Sequence, residues 1–226
     1  MDNSVMMKTN KLTKTLAFPI ATGAAALGVL AGSVLTATSA SAASLNWDQF
    51  ITGTPLIEGD KKVTYVSNTF AAGAIPADTF VSLVETAPTE YTVAIMVVGA
   101  MIEASGSFTY NIEIQDPKFH FTGVQVDSDV STGYGTVVTE FAPAGITLTS
   151  LNGWPDPEAA GSFASVPGAL TLLTVTSTLT PALPGAGLMS SSNKFQQGTK
   201  VPEPGTILGL LTVGGLGLVS RFKKQK

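Results

Sequence analysis

Ser107-Phe108-Thr109-Tyr110-Asn111-Ile112-Glu113-Ile114-Gln115 alternates without a break. Phe108, Tyr110, Ile112 and Ile114 fall on one face of an extended chain. Ser107, Thr109, Asn111, Glu113 and Gln115 fall on the other. Successive side chains of a strand point to opposite faces, so this stretch predicts a strand buried on one side. The same period recurs outward in both directions. Upstream it predicts strands over Lys62–Asn68, Phe80–Val84 and Tyr91–Val98. Tyr91–Val98 is apolar on both faces, which predicts a central position in its sheet. Downstream it predicts strands over Lys118–Val126, Gly135–Phe141, Ile146–Leu151 and Ala169–Leu179. Gly, Pro, Asn and Asp separate these runs at short intervals, as turns require. No stretch of the body repeats its apolar residues with a period of about 3.6, the mark of an amphipathic helix.

Two of the predicted strands change phase midway. Phe119 and Phe121 alternate, then Val124 and Val126 continue one residue out of step across Gly123. Leu170 and Leu172 stand in the same relation to Leu173 and Val175. A one-residue slip turns side chains to the other face, and a β-bulge absorbs it at least cost. The expected fold class is therefore all-β, an antiparallel β-sandwich, with a jelly roll or barrel as the alternative.

Charge is distributed unevenly over the 226 residues. Lys8, Lys11 and Lys14 lie near the start, and Arg221, Lys223, Lys224 and Lys226 at the end. Between them, residues 43–204 hold five lysines, no arginine and fifteen of the sixteen acids, a net charge of −10. Nucleic-acid binding needs clustered cations to displace counterions from phosphates, so no nucleic-acid partner is expected. The chain has no Cys, which removes disulfide, thiol and thiolate-metal chemistry, and its single His removes multi-histidine metal centres.

The two ends are different in kind from the body. Lys8, Lys11 and Lys14 precede an uncharged run from Leu16 to Leu35, and small residues follow. Ala40-Ser41-Ala42 fits the small-x-small rule for signal peptidase, which places the cut after Ala42 and leaves Ala43 as the new first residue. Residues 1–42 are thus read as a signal peptide. At the other end, Val201-Pro202-Glu203-Pro204 leads into an uncharged run from Gly205 to Ser220 and then a basic tail. A helix over 205–222 would have 18 residues, near the lower limit for crossing a membrane, which takes about 17–25. The basic tail is expected to stay cytoplasmic. Pro202 and Pro204 cannot continue that helix backward and favour an extended backbone suited to an enzyme groove. The expected organisation is a signal peptide over 1–42, an exported β domain over 43–187, a linker over 188–200, and a terminal signal with transmembrane helix and basic tail over 201–226.

Pro202-Glu203-Pro204, the short Gly- and Leu-rich span and the basic tail together resemble the PEP-CTERM protein-sorting signal. The Thr- and Gly-rich body also loosely resembles cyanobacterial proteins that carry it. The resemblance implies recognition of Pro202, Glu203 and Pro204 by an exosortase, a membrane-embedded cysteine transpeptidase, and removal of residues 205–226 after processing. It implies bacteria that secrete exopolysaccharide, which makes that polysaccharide a further expected partner. The chain would then be the substrate and not the enzyme. It would pass the inner membrane, be held there by its tail as a transient or permanent anchor, and then stand at the cell surface or in the extracellular matrix.

Chemistry within the body is sparse. His120 is the one imidazole, and it alternates against Phe119 and Phe121, so it is expected to face solvent without a catalytic role. No Gly-x-Ser-x-Gly elbow is present. Asp127-Ser128-Asp129 is expected in a turn after the Lys118–Val126 strand, where Asp127 and Asp129 could offer hard oxygen ligands to Ca²⁺. Solvated turn acids explain the same residues. Trp154, in Trp154-Pro155-Asp156-Pro157-Glu158, could stack on a sugar ring, and Trp47 as well as Trp154 could equally be a core plug or a loop anchor. The expected function is an exported non-enzymatic surface or matrix protein that needs no cofactor. A carbohydrate-binding or adhesive module with the same address is the alternative, and a hydrolase built on an acid pair is a third reading.

Overall fold

A computed structural model describes residues 42–159 and 161–200. The predicted signal peptide up to residue 41, including Ala40, and the predicted sorting signal over 201–226 lie outside the described residues. The strands, in chain order, are β1 (Ala42–Asn46), β2 (Leu56–Glu58), β3 (Lys61–Asn68), β4 (Thr79–Ala87), β5 (Glu90–Val97) and β6 (Gly106–Ile114). They continue with β7 (Phe119–Val130), β8 (Gly135–Ala142), β9 (Ile146–Leu151), β10 (Ala164–Ser165), β11 (Leu172–Pro181) and β12 (Leu188–Thr199). One short helix, α1 (Trp47–Ile51), follows β1. Its start is set by a capping box. Asn46 Oδ1 accepts from the Gln49 N–H at 2.8 Å, and the Asn46 N–H donates to Gln49 Oε1 at 3.2 Å.

Two six-stranded sheets form, each paired antiparallel throughout. One runs β1-β4-β5-β12-β7-β10 and the other β2-β3-β6-β11-β8-β9. From β5 onward the chain alternates between them in the order of a jelly roll, with β5-β12-β7-β10 facing β6-β11-β8-β9. The sheets are joined by contacts between their inner faces. Phe195 on β12 packs against Phe141 on β8 at 6.0 Å between ring centroids, and against Phe121 on β7 at 5.8 Å. Asn193 on β12 donates from Nδ2 to the Tyr110 hydroxyl on β6 at 2.8 Å and to Ser177 Oγ on β11 at 3.2 Å. Ser128 on β7 and Ser150 on β9 share a hydrogen bond of 2.6 Å. At one margin Trp47 meets Phe50, Phe70 and Phe108, with centroids 6.2–6.3 Å apart. The Trp47 indole is buried, so this tryptophan is a core plug.

The decisive stretch behaves as its alternation requires. In β6, Phe108, Tyr110, Ile112 and Ile114 are all buried, and the strand lies between β3 and β11. β5 has neighbours on both sides, as expected of a central strand. Its two faces differ, however: Tyr91, Val93, Ile95 and Val97 are buried, whereas Met96 is 48% exposed. Apolar residues on its outer face thus reflect β propensity and not a second covering layer.

The phase change across Gly123 is a bulge. Gln196 on β12 pairs with Gly123 and Gln197 pairs with Phe121, so Thr122 is the extra residue. Phe121, Val124 and Val126 consequently all reach the core. A Cβ on Gly123 would come within 2.6 Å of the Phe163 Cβ, so the sheet is covered closely there. The second expected bulge is absent. β11 pairs with β6 without a register shift from Leu172 to Leu179. Leu170 precedes the strand and Leu172 is 48% exposed, so the apparent slip is a strand boundary.

The predicted linker is corrected most sharply. Residues 188–199 form β12, which pairs with β5 on one side and β7 on the other. The buried face of β12 carries Ser191, Asn193, Phe195 and Gln197. A polar composition suggested solvent exposure, but these groups lie inside, and Asn193 and Gln197 hydrogen-bond across to the other sheet. Backbone pairing on both sides, together with those partners, offsets the desolvation of the polar side chains.

Candidate functional site

The exposed aromatic at Trp154 is built from the turn upward. β9 ends at Leu151, and Asn152 and Gly153 follow with φ of 51° and 84°. Positive φ at two successive positions is the signature of a type I′ turn, for which Asn-Gly is the preferred pair. The Trp154 N–H donates to the Leu151 carbonyl at 3.0 Å and closes the turn, and the Asn152 N–H donates to the Gly135 carbonyl at 2.8 Å. Beyond it, Asp156 pairs its backbone with Val126 in both directions, at 2.8 and 2.9 Å. Asp156 Oδ2 accepts from the Thr149 N–H at 2.7 Å, and the Pro157 carbonyl accepts from Gln125 Nε2 at 2.9 Å. The loop is therefore pinned on both flanks, while the indole between them is 63% exposed. Trp154, Leu151, Thr149, Pro155, Asp156 and Glu158 line an open depression of about 410 Å³. An indole face beside carboxylates and a hydroxyl can stack on an apolar sugar face and accept hydrogen bonds from its hydroxyls.

The other predicted groups are placed differently. Asp127 and Asp129 do not sit in a turn. They lie within β7, opposite Ser192 and Ser190 of β12. β7 extends past Val126 because β12 pairs with it as far as Val130. Asp127 Oδ2 lies 3.5 Å from Lys194 Nζ, with both side chains 36% exposed, an ion pair worth about 0–1 kcal/mol. Asp116 caps its own turn, accepting from the Lys118 N–H at 2.9 Å. No group of three His, Cys, Asp or Glu side chains among the described residues is close enough to hold a metal ion. His120 lies on the face of β7 opposite the buried Phe121, as its alternation requires, and is half-buried there. Its Nδ1 is buried without a hydrogen-bond partner.

Ala42 and Ala43, the residues flanking the predicted signal-peptidase cut, open β1 and pair with Val84 and Leu83. Cleavage there would leave Ala43–Asn46 available to pair with β4. At the opposite end the Lys200 N–H donates to the Lys118 carbonyl at 2.7 Å. Pro202, Glu203 and Pro204 lie just beyond, outside the described residues.

The rigid presentation of Trp154 was readable in Asn152-Gly153 between two β-prone runs, a hairpin signal that the loop's acidic and proline residues obscured. A second cluster, around Lys61, was signalled by its spacing from Val63. Both side chains must point to the same face, and Val63 is fully buried.

Residues 200–224 match the PEP-CTERM protein-sorting motif. No curated protein matches the chain. The motif is that of an exported protein held at a membrane and handed to an exosortase, a membrane enzyme.

Proposed function

We propose that the chain is a non-enzymatic surface or extracellular-matrix protein whose jelly-roll body is delivered by exosortase processing at Pro202-Glu203-Pro204. The observation that carries this reading is the sorting motif over residues 200–224. Its support within the body is that Asp116 caps its own turn, Asp156 accepts from the Thr149 backbone and Asp127 forms a surface ion pair with Lys194. The expected location is the cell surface or a polysaccharide matrix, after the signal peptide and the segment following the motif have been removed. Intact mass of the native envelope or extracellular protein tests it. The mature mass is expected to lack both terminal segments, and changing Pro202, Glu203 and Pro204 together to Ala is expected to abolish the C-terminal cut. A native chain still ending at Lys226 would make the tail a permanent anchor and remove the processing step.

The exposed, pinned indole favours one further reading, a carbohydrate-binding role on the same body. Trp154→Ala is expected to weaken retardation in native gels containing a neutral polysaccharide by about fivefold, the equivalent of about 1 kcal/mol of ring stacking. Equal mobility of the parent and variant chains at every polysaccharide concentration would remove this role.

A further inference from the structure

Lys61 is fully buried, and its ammonium end meets groups from distant parts of the chain. Nζ donates to Asp60 Oδ1 and to Gln197 Oε1, and it lies 4.1 Å from the centroid of the Tyr91 ring. Gln197 is 7% exposed and belongs to β12, in the sheet opposite β3. Asp60 Oδ2 is buried and has no hydrogen-bond partner. Burial lowers the Lys61 pKa, against the opposing pull of Asp60 and, at longer range, Glu85 and Asp116. The neutral amine, the nucleophilic form of lysine, is therefore more accessible here than in water. The Tyr91 hydroxyl is pushed the other way, up to about 12, chiefly by burial and also by Asp60 and Glu85, and stays protonated at neutral pH.

A nucleophile, an acyl carbon and a proton carrier thus meet where β3 faces β12, with the amine and the amide buried and the Asp60 side chain 20% exposed. We propose that Lys61 and Gln197 are joined by an intramolecular isopeptide bond, formed with Asp60 as the proton carrier. Nζ passes a proton to Asp60 and adds as the free amine to Cδ of Gln197. The new Nζ–Cδ bond forms and the Cδ–Nε2 bond breaks. Two protons leave Nζ by way of Asp60, and both end on the departing nitrogen, which leaves as ammonium. Asp60 returns to the carboxylate, and nothing is oxidised or reduced. The product ties β3 to β12 and closes the two sheets covalently in a chain that has no cysteine.

Peptide mapping of the full chain by tandem mass spectrometry, after digestion on the carboxyl side of glutamate, tests the bond. The peptides carrying Lys61 and Gln197 are expected as one branched species, lighter than their sum by one ammonia. In Asp60→Asn they are expected as two linear peptides, as they must be in Lys61→Arg. Linear peptides with unmodified Lys61 and Gln197 accounting for the wild-type chain would overturn the proposal. Branching at wild-type yield in Asp60→Asn would overturn the role given to Asp60. The wild-type chain alone decides whether the bond exists, so a variant that fails to fold leaves the test intact.

Discussion

A chain from which residues 188–199 have been deleted, with Lys200 joined to Gly187, is expected to lose cooperative unfolding altogether. β12 supplies the pairing partner of both β5 and β7. Its removal splits one six-stranded sheet in the middle and strips Phe195, Asn193 and Gln197 from the space between the sheets. Two long strands would be left with unpaired edges, a condition that favours association between chains. Circular dichroism across a urea titration, with sedimentation to detect association, reads this directly. The parent is expected to unfold in a sigmoidal transition, as single domains of this size usually do, and the deletion in a shallow drift. A deletion variant with the parent's midpoint would return this segment to the role of a linker.

The second large effect is expected from Phe195→Ala. Phe195 is fully buried and touches Phe121 in its own sheet and Phe141 in the facing one. Truncation removes the transfer free energy of the ring and leaves a cavity that two hydrogen-bonded sheets cannot collapse to fill. The expected loss is about 3–5 kcal/mol, which is a large part of the about 5–15 kcal/mol that holds a typical domain together. Equilibrium urea unfolding measures it, and Phe195→Leu should recover part of the loss. A cost below about 1 kcal/mol for the alanine variant would contradict the placement of this ring between the sheets.

How much of this architecture could be read beforehand depended on whether burial was apolar. β6 was legible because Phe108, Tyr110, Ile112 and Ile114 repeat every second residue, and burial followed them. The Thr122–Gly123 bulge was legible because Phe121 and Val124 both need the core. β12 was not legible as a strand, although its inward positions also recur every second residue. Three of those four positions are Ser191, Asn193 and Gln197, and hydropathy marks polar residues as outside. What admits Asn193 and Gln197 is a set of partners on the other sheet, Tyr110, Ser177 and Lys61, all distant in sequence. Asp127 and Asp129 were misplaced for the same reason, because their strand is prolonged by pairing with β12. Leu170 misled in the opposite sense, since an apolar residue before a strand was counted as part of it. At the candidate sugar site the indole itself was legible, but not the anchoring by Gln125, Val126 and Thr149, which comes from β7 and β9.

The pairing of residues 188–199 as β12 bears on how the mature protein would carry a load. β12 ends at Thr199, and the three steps from there to Pro202 can span at most about 10 Å. An attachment made at the motif would therefore pull almost directly on the last strand. Ladder hydrogen bonds lie across the strand axis, and β12 has such ladders on both sides. Tension along that axis would shear many bonds at once, where an edge strand would be peeled one bond at a time. A chain held at the motif would thus be loaded along a strand that has neighbours on both sides.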